Sequence, residues 1–329
     1  MGRVTVFTLG GTISARGGDA ARMTGQEVLA ELGAPEDVVL RDFRRVPSST
    51  LSFEDLAALA DEIRETVADG SGVVVVQGTD TLEETAFLLD LLCSTEQAPI
   101  AVTGAMRRPD LPGADGPANL AAALAVAADP ACRNLGVLVV LADEIHAARL
   151  ARKTHTTSVA TFASPGAGPI GTVVEGEPRI LLRPAAPTAL CALKLDPSVR
   201  VALVTLSLGD RGELLEAVDH RFQGLVVAAF GAGHAPAHLV EPLAEIARRI
   251  PVVLASRTGG GATLSRTYRS PGSEYDLLRH GLIPAGPLDP AKARILLHTL
   301  ISSGAAGPTG YDRPRIAAAF THLNGSGLA

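Results

Sequence analysis

Three short stretches of this 329-residue chain carry hydroxyl, carboxylate and amine groups in patterns that could do chemistry. They are Leu9-Gly10-Gly11-Thr12, Gln77-Gly78-Thr79-Asp80-Thr81 and Arg152-Lys153-Thr154-His155-Thr156-Thr157. A threonine hydroxyl is a weak nucleophile while it keeps its proton. An adjacent amine that has lost its own proton on desolvation can accept it. Lys153, Thr79 and Asp80 would then form a nucleophile–base–carboxylate unit by the logic of the serine triad. Gly10 and Gly11 allow positive φ and close approach of a ligand to backbone N–H groups. Taken singly, each stretch reads as a turn, a helix cap or a solvated lysine. Two Gly-Thr elements at the ends of early strands are a less ordinary coincidence.

Several other chemistries lack their residues. The G-x-G-x-x-G spacing of dinucleotide folds is missing, as is any G-K-[ST] phosphate loop. The eight histidines show no metal pattern: His234 and His238 are four apart, but Pro236 interrupts the turn between them. Cys93, Cys132 and Cys191 are odd in number and widely spaced, so buried or inert thiols are expected, with neither a disulfide framework nor a zinc site. Lys plus Arg total 29 against 35 Asp plus Glu, a net charge of −6, which gives no electrostatic reason to seek nucleic acid or an anionic membrane. The basic group Arg41, Arg44 and Arg45 is too short to alter that. No signal peptide and no apolar run of about 18 residues is read, so a membrane span is not expected.

The elements that must position these groups follow from short apolar runs alternating with helical patterns. Residues 4–9, 73–77, 100–104 and 137–142 read as strands; 53–67, 82–92 and 119–128 read as helices. Such alternation predicts βαβ units and a mostly parallel sheet. With Trp absent and aromatics at 3%, the core must be built from Ala, Val, Leu and Ile, which suits strands sheathed in helices on both faces. Ser52 with Asp55, and Thr81 with Glu84, are candidate capping boxes. Residues 170–174 and 179–183 predict a hairpin around Glu175-Gly176-Glu177-Pro178. A second series follows, with strands at 201–206, 225–229 and 252–255 and helices at 211–220, 238–249 and 291–301. Asp289 is the expected N-cap of the last, with Pro290 as its first residue. Residues 316–320 could form a terminal helix.

Read in order, these segments resemble the bacterial-type L-asparaginase/glutaminase family. Leu9-Gly-Gly-Thr-Ile13 is similar to its first signature and Gln77-Gly-Thr-Asp-Thr-Leu-Glu-Glu-Thr85 to its second. Gly104-Ala-Met-Arg107, Ala114-Asp-Gly-Pro-Ala-Asn119, Lys153-Thr-His-Thr-Thr157 and Ala160-Thr-Phe162 continue the match. Ser256-Arg257 and the stretch from Ala285 to Arg294 resemble its second domain. The resemblance implies that Thr12 attacks the side-chain amide and that Thr79, Lys153 and Asp80 form a second catalytic unit. It implies that Asp80 binds the substrate ammonium and Ser48 the α-carboxylate. Backbone N–H groups near Gly11 and Thr79, with Gly78 between, would hold the oxyanion, and the carbonyl of Ala105 would receive the amide NH₂. It further implies a homodimer or homotetramer with shared active sites, with Glu274 falling where the family has a glutamate that reaches the neighbouring site and His234 falling near another such contact. Three positions depart from the pattern. Residues 15–25 contain no tyrosine, where many members carry one on a mobile lid. Ser49 stands where a longer polar residue often touches the ammonium. His155 stands where members usually carry asparagine.

The expectation is a two-domain α/β protein with mostly parallel sheets, the larger domain N-terminal (1–185), a linker (186–199) and the smaller domain C-terminal (200–329). Its expected activity is hydrolysis of L-asparagine to L-aspartate and ammonia in the cytoplasm, with no metal or organic cofactor and no nucleic-acid or membrane partner. Two alternatives stay open: a glutaminase-asparaginase or another amidohydrolase of the same fold, such as an amidotransferase subunit, and a non-catalytic protein that binds acidic amino acids.

Overall fold

The computed structural model describes residues 3–12, 15, 16, 21, 22, 24, 26, 27, 30, 38–93, 96–184, 195–307 and 310–323. The expected linker falls largely outside them. So do Cys191 and most of residues 15–25, of which Ala15–Arg16 and Ala21–Arg22 pair as short antiparallel strands. The chain divides into two compact units, Met1–Cys191 and Ala192–Ala329.

In the first unit, β-branched runs become strands because both sheet faces are covered. Strands β1 (Val4–Thr8), β2 (Val39–Asp42), β3 (Gly72–Val76), β4 (Ile100–Thr103) and β5 (Val137–Leu141) lie in the order β2-β1-β3-β4-β5 and are all parallel. Every residue of β1, β3, β4 and β5 is buried. Helices α1 (Phe53–Ala68) and α2 (Leu82–Leu92) pack on the sheet and on each other, as does α3 (Gly116–Ala128) on its strands. Val4, Val6, Val74, Val76, Leu138 and Val140 form one apolar cluster with Leu120, Ala123 and Val126 of α3. Each such Val or Leu contributes about 1.5–3 kcal/mol on full burial. The sheet continues with antiparallel β6 (Glu144–Ala147). A separate small hairpin, β7 (Arg152–Lys153) with β8 (Phe162–Ala163), follows in the chain. Then β9 (Gly171–Val174) and β10 (Glu177–Ile180) complete the sheet beyond β6.

Ser52 caps α1 in the expected box with Asp55. Thr81 does not form one with Glu84: its side chain makes no cap bond, and its hydroxyl turns instead to the carbonyl of Ser48, donating to it at 2.9 Å. Helix α3 starts at Gly116, three residues before the expected 119, with Pro in its first turn. The β9–β10 turn is tighter than expected. Glu175 (φ 55°) and Gly176 (φ 78°) make the whole connection, as the strand twist favours in two-residue hairpins. Pro178 is tolerated because β10 is an edge strand.

In the second unit, β11 (Val201–Thr205), β12 (Gly224–Ala229), β13 (Val252–Ser256) and β14 (Ile283–Pro284) are parallel and in sequence order. Helix α4 (Val240–Arg249) is entered through a 3₁₀ turn at Ala237–Leu239. Helices α5 (Glu274–Arg279), α6 (Pro290–Leu300) and α7 (Arg313–Leu323) follow. Asp289 caps α6 as expected, accepting from the N–H of Ala291 and Lys292. The helix expected over 211–220 is a single turn, Glu213–Glu216, entered through Gly212 at φ 88° with Leu214 left exposed. No helix among the described residues is long and apolar enough to cross a membrane.

Candidate active site

The order β2-β1-β3-β4-β5 reverses direction between β1 and β3. Ligands of doubly wound sheets bind at that switch point, beyond the carboxyl ends of the strands. Thr8 of β1 is in register with Val76 of β3, so the segments carrying Thr12 and Thr79 leave the sheet side by side. Gly10 and Gly11 take φ of 99° and 98°. A Cβ on Gly11 would overlap the backbone of Gly78, and one on Gly10 would sit 2.8 Å from the backbone of Val46. Only glycine allows these approaches. Thr12 follows directly, half-buried in a helical turn.

Ser48 opens a short 3₁₀ turn and is buried. A Cβ on Gly78 would lie 2.8 Å from its hydroxyl, so that hydroxyl faces the Gly78 backbone. Among the described residues Ser48 Oγ has no hydrogen-bond partner, a costly state for a buried hydroxyl unless a ligand completes it. Ser49 beside it is exposed.

Thr79 is buried and Asp80 exposed at the start of α2. Lys153 Nζ lies 2.9 Å from Thr79 Oγ1 and 2.8 Å from Asp80 Oδ1. The unit expected from the sequence is therefore assembled, across 74 residues of chain. The Asp80 carboxylate keeps 69% of its side chain exposed, against 19% for Lys153, so one face of the carboxylate stays open. The main chain of Lys153 is held as well: its N–H donates to Glu83 in the first turn of α2.

Two residues quoted above only as part of a motif prove to shape the wall. Asn119 donates to the carbonyl of Gly104 at 3.0 Å and accepts from the N–H of Ala142 at 2.9 Å. Asp115 accepts from Met106 N at 2.9 Å and Arg107 N at 2.8 Å. Between them they fix both sides of Ala105, which is buried. The sequence signal was an Asp and an Asn four apart at the start of α3, facing one loop. Gln77 is also buried, with Oε1 unpartnered among the described residues and Nε2 3.2 Å from the carbonyl of Gly78.

Glu274 belongs to the second unit and is not a surface carboxylate. It is fully buried as the first residue of α5. Its Oε1 accepts from Thr267 N at 3.0 Å and Tyr268 N at 2.9 Å, and its Oε2 lies 3.2 Å from His234 Nε2. Burial alone pushes the carboxyl up. The N–H groups of Tyr268, of Glu274 itself and of Thr267, with the His234 ring, outweigh it and hold it below the usual carboxylate range. Tyr268 packs edge-on against His234 at 4.8 Å. Cys93 and Cys132 are buried, and burial, with Asp129 nearby, pushes the Cys132 thiol up to about 12, as an inert thiol requires. No cluster of three or more His, Cys, Asp or Glu among the described residues could hold a metal ion.

Comparison with known proteins bears on this geometry. Residues 3–186 match the family model of the asparaginase N-terminal domain, and residues 200–309 that of the glutaminase/asparaginase C-terminal domain. A probable L-asparaginase of Deinococcus radiodurans is 34% identical, the alignment covering 92% of this chain and 94% of that protein. L-asparaginase 2 of Escherichia coli is 34% identical over 91% of this chain and 88% of its own, and a glutaminase-asparaginase of Pseudomonas fluorescens 31% identical over 90% and 85%. The crystal structure of a probable cytoplasmic L-asparaginase from Campylobacter jejuni superposes with a TM-score of 0.86 at 28% identity, covering 97% of this chain and 99% of that one. Two threonine-bearing strand ends at the switch point, a lysine bridging the second of them to a carboxylate, and matches to both domains place the chain in one family: it belongs to the bacterial-type L-asparaginase/glutaminase family.

Proposed function

We propose that the protein hydrolyses L-asparagine to L-aspartate and ammonia, with Thr12 as nucleophile. The observation that carries this reading is Lys153 Nζ seated between Thr79 Oγ1 and Asp80 Oδ1, at the strand end beside Gly11. Asparagine is a zwitterion with a neutral amide one carbon from Cα. The unpartnered Ser48 hydroxyl suits its carboxylate, and the open face of Asp80 its ammonium. Ser49, exposed beside Ser48, borders the ammonium side. Thr12 Oγ1 then adds to the amide carbon, and the developing oxyanion is met by N–H groups near Gly11 and Thr79, with the Gly78 backbone packed against Gly11. The Ala105 carbonyl accepts from the amide NH₂. Collapse breaks the C–N bond, ammonia leaves with a proton, and water cleaves the resulting ester to give aspartate and free Thr12. Fixing the reactants and the oxyanion each supply several kcal/mol in such sites. Thr79, Lys153 and Asp80 form the relay that moves the protons.

Each site is completed by a second chain in this reading, with Glu274 contributed in trans within a homodimer or homotetramer. The protein acts in the cytoplasm, as the Campylobacter jejuni relative's description has it for that protein, and its net charge of −6 favours a free small substrate over nucleic acid or membrane. The test is a coupled assay of the purified protein on millimolar L-asparagine and L-glutamine. Ammonia and aspartate in equal amounts, unaffected by EDTA, are expected from asparagine. No turnover of either amide would overturn the proposal and favour an amino-acid-binding role.

A further inference from the structure

The hairpin that carries Lys153 has only two residues in each strand, Arg152–Lys153 paired with Phe162–Ala163. So short a pair cannot hold its own register. A slip of one residue would turn Lys153 to the opposite face, away from Thr79 and Asp80. Something in the connecting segment must set the register, and the connecting segment is exposed over most of its length.

The side chain that closes it is His155. Its Nδ1 lies 3.0 Å from the N–H of Thr157 and 3.0 Å from the N–H of Ser158. Both partners are backbone donors, so Nδ1 is an acceptor and the ring carries its proton on Nε2. The main chain of His155 is tied to the far strand by Thr161. His155 N–H donates to Thr161 Oγ1 at 3.0 Å, and the Thr161 hydroxyl donates back to the His155 carbonyl. Thr154 adds two more links, its N–H at 2.8 Å and its hydroxyl at 2.9 Å from the Thr161 carbonyl. The next residue pair outward is Lys153 opposite Phe162. Turn, rung and lysine are thus one continuous ladder, anchored at its other end by Glu83 on the Lys153 N–H.

We propose that His155 is a positioning residue for Lys153: its ring, accepting two backbone N–H groups at Nδ1, closes the turn that fixes the hairpin register and so delivers Lys153 Nζ to Thr79 and Asp80. His155 touches none of the reacting groups. Its chemistry is that of a side-chain acceptor capping a turn, which an asparagine carbonyl oxygen reproduces at similar reach and glutamine, one methylene longer, does not.

The kinetic part of the test rests on the asparaginase reading, so amide exchange is measured alongside it. In H155A, kcat for asparagine should fall about tenfold or more with KM within about threefold, as a displaced catalytic group requires. H155N should recover most of the loss and H155Q should not. By hydrogen–deuterium exchange, the amides of Thr157, Ser158 and Lys153 should be protected in wild type and H155N and lose protection in H155A and H155Q. Wild-type kcat in H155A, a loss confined to KM, or H155Q equal to H155N would overturn the proposal. If the wild-type protein turns over no amide, the exchange pattern alone decides it: unchanged protection of Lys153 in H155A overturns it. Should H155A fold poorly, the contrast between H155N and H155Q carries the same decision.

Discussion

Replacing Lys153 by methionine separates the chemistry of the relay from the architecture that holds it. Methionine keeps the length and much of the volume of the lysine stem. The bond from the residue 153 N–H to Glu83 involves only the main chain and survives. The lost ion pair involves an Asp80 that is 69% exposed, so its contribution to stability lies within about 0–1 kcal/mol. Folding should therefore be nearly unchanged. The proposed relay would lose more: Thr79 Oγ1 would no longer have Lys153 Nζ at 2.9 Å as its base, and Asp80 would be cut off from it. General acid–base groups contribute about 10²–10⁴ in rate, equivalent to about 3–5 kcal/mol in the barrier. Steady-state ammonia release should show that loss in kcat, while calorimetric titration with L-aspartate and thermal unfolding should show binding and Tm close to wild type. A kcat within about tenfold of wild type would refute the role given to Lys153. A collapse of Tm would show the lysine to be structural.

Other predictions address substrate, assembly and stability. Glutamine places its amide one methylene further from the Ser48 and Asp80 contacts, and a misplacement of about 1 Å can cost roughly a hundredfold, so kcat/KM should favour asparagine; equal values would contradict this. Co-refolding equal amounts of Thr12→Ala and Glu274→Gln, each nearly inactive alone, should restore about a quarter of wild-type activity if Glu274 acts in trans within a closed dimer; mixed dimers without recovery would exclude the shared site. Glutamine is the right replacement there, since an alanine would leave the N–H groups of Thr267 and Tyr268 unpaired. Asp90, buried in α2 with its carboxylate on the N–H of Val137, is pushed by burial to about 6, although that bond and the charge of Arg149 oppose the shift. Its raised value means that its contribution is fully present below about pH 3.9 and is lost as pH rises through about 6, a change of about 3 kcal/mol. Urea unfolding should show Asp90→Asn gaining on wild type by about that amount between pH 4 and pH 8; a difference independent of pH would contradict it.

The parallel strands were legible because burial on both faces leaves unbroken apolar runs such as Gly72–Val76, which no loop or amphipathic helix imitates. The pairing of Lys153 with Thr79 and Asp80 followed from chemistry, since an isolated hydroxyl needs a base. Ser48 was reached only through resemblance; nothing in its own sequence marks a hydroxyl that folding leaves unpartnered. The β7–β8 hairpin was invisible because two residues have no period, and the order of β11 to β14 lies in tertiary pairing alone. The helix expected over 211–220 shrinks to one turn because Gly212 enters it at φ 88° and Leu214 stays exposed, which leaves only Leu215 and Val218 to reach the core. Thr81 looked like a cap from spacing, yet its hydroxyl was claimed by Ser48, a partner 33 residues away. Asn119, Asp115 and His155 act by bracing backbone that is distant or turned, which spacing does not reveal.

In the proposed reaction Thr12 forms the covalent bond to the substrate, and trapping that bond tests it most directly. Wild-type protein turning over L-asparagine should be quenched in acid within milliseconds and its peptides mapped by mass spectrometry. An aspartyl ester is expected on the peptide containing Thr12 and absent from Thr12→Ala, which should also release no ammonia. An ester on the peptide containing Thr79, or near-normal turnover by Thr12→Ala, would contradict it.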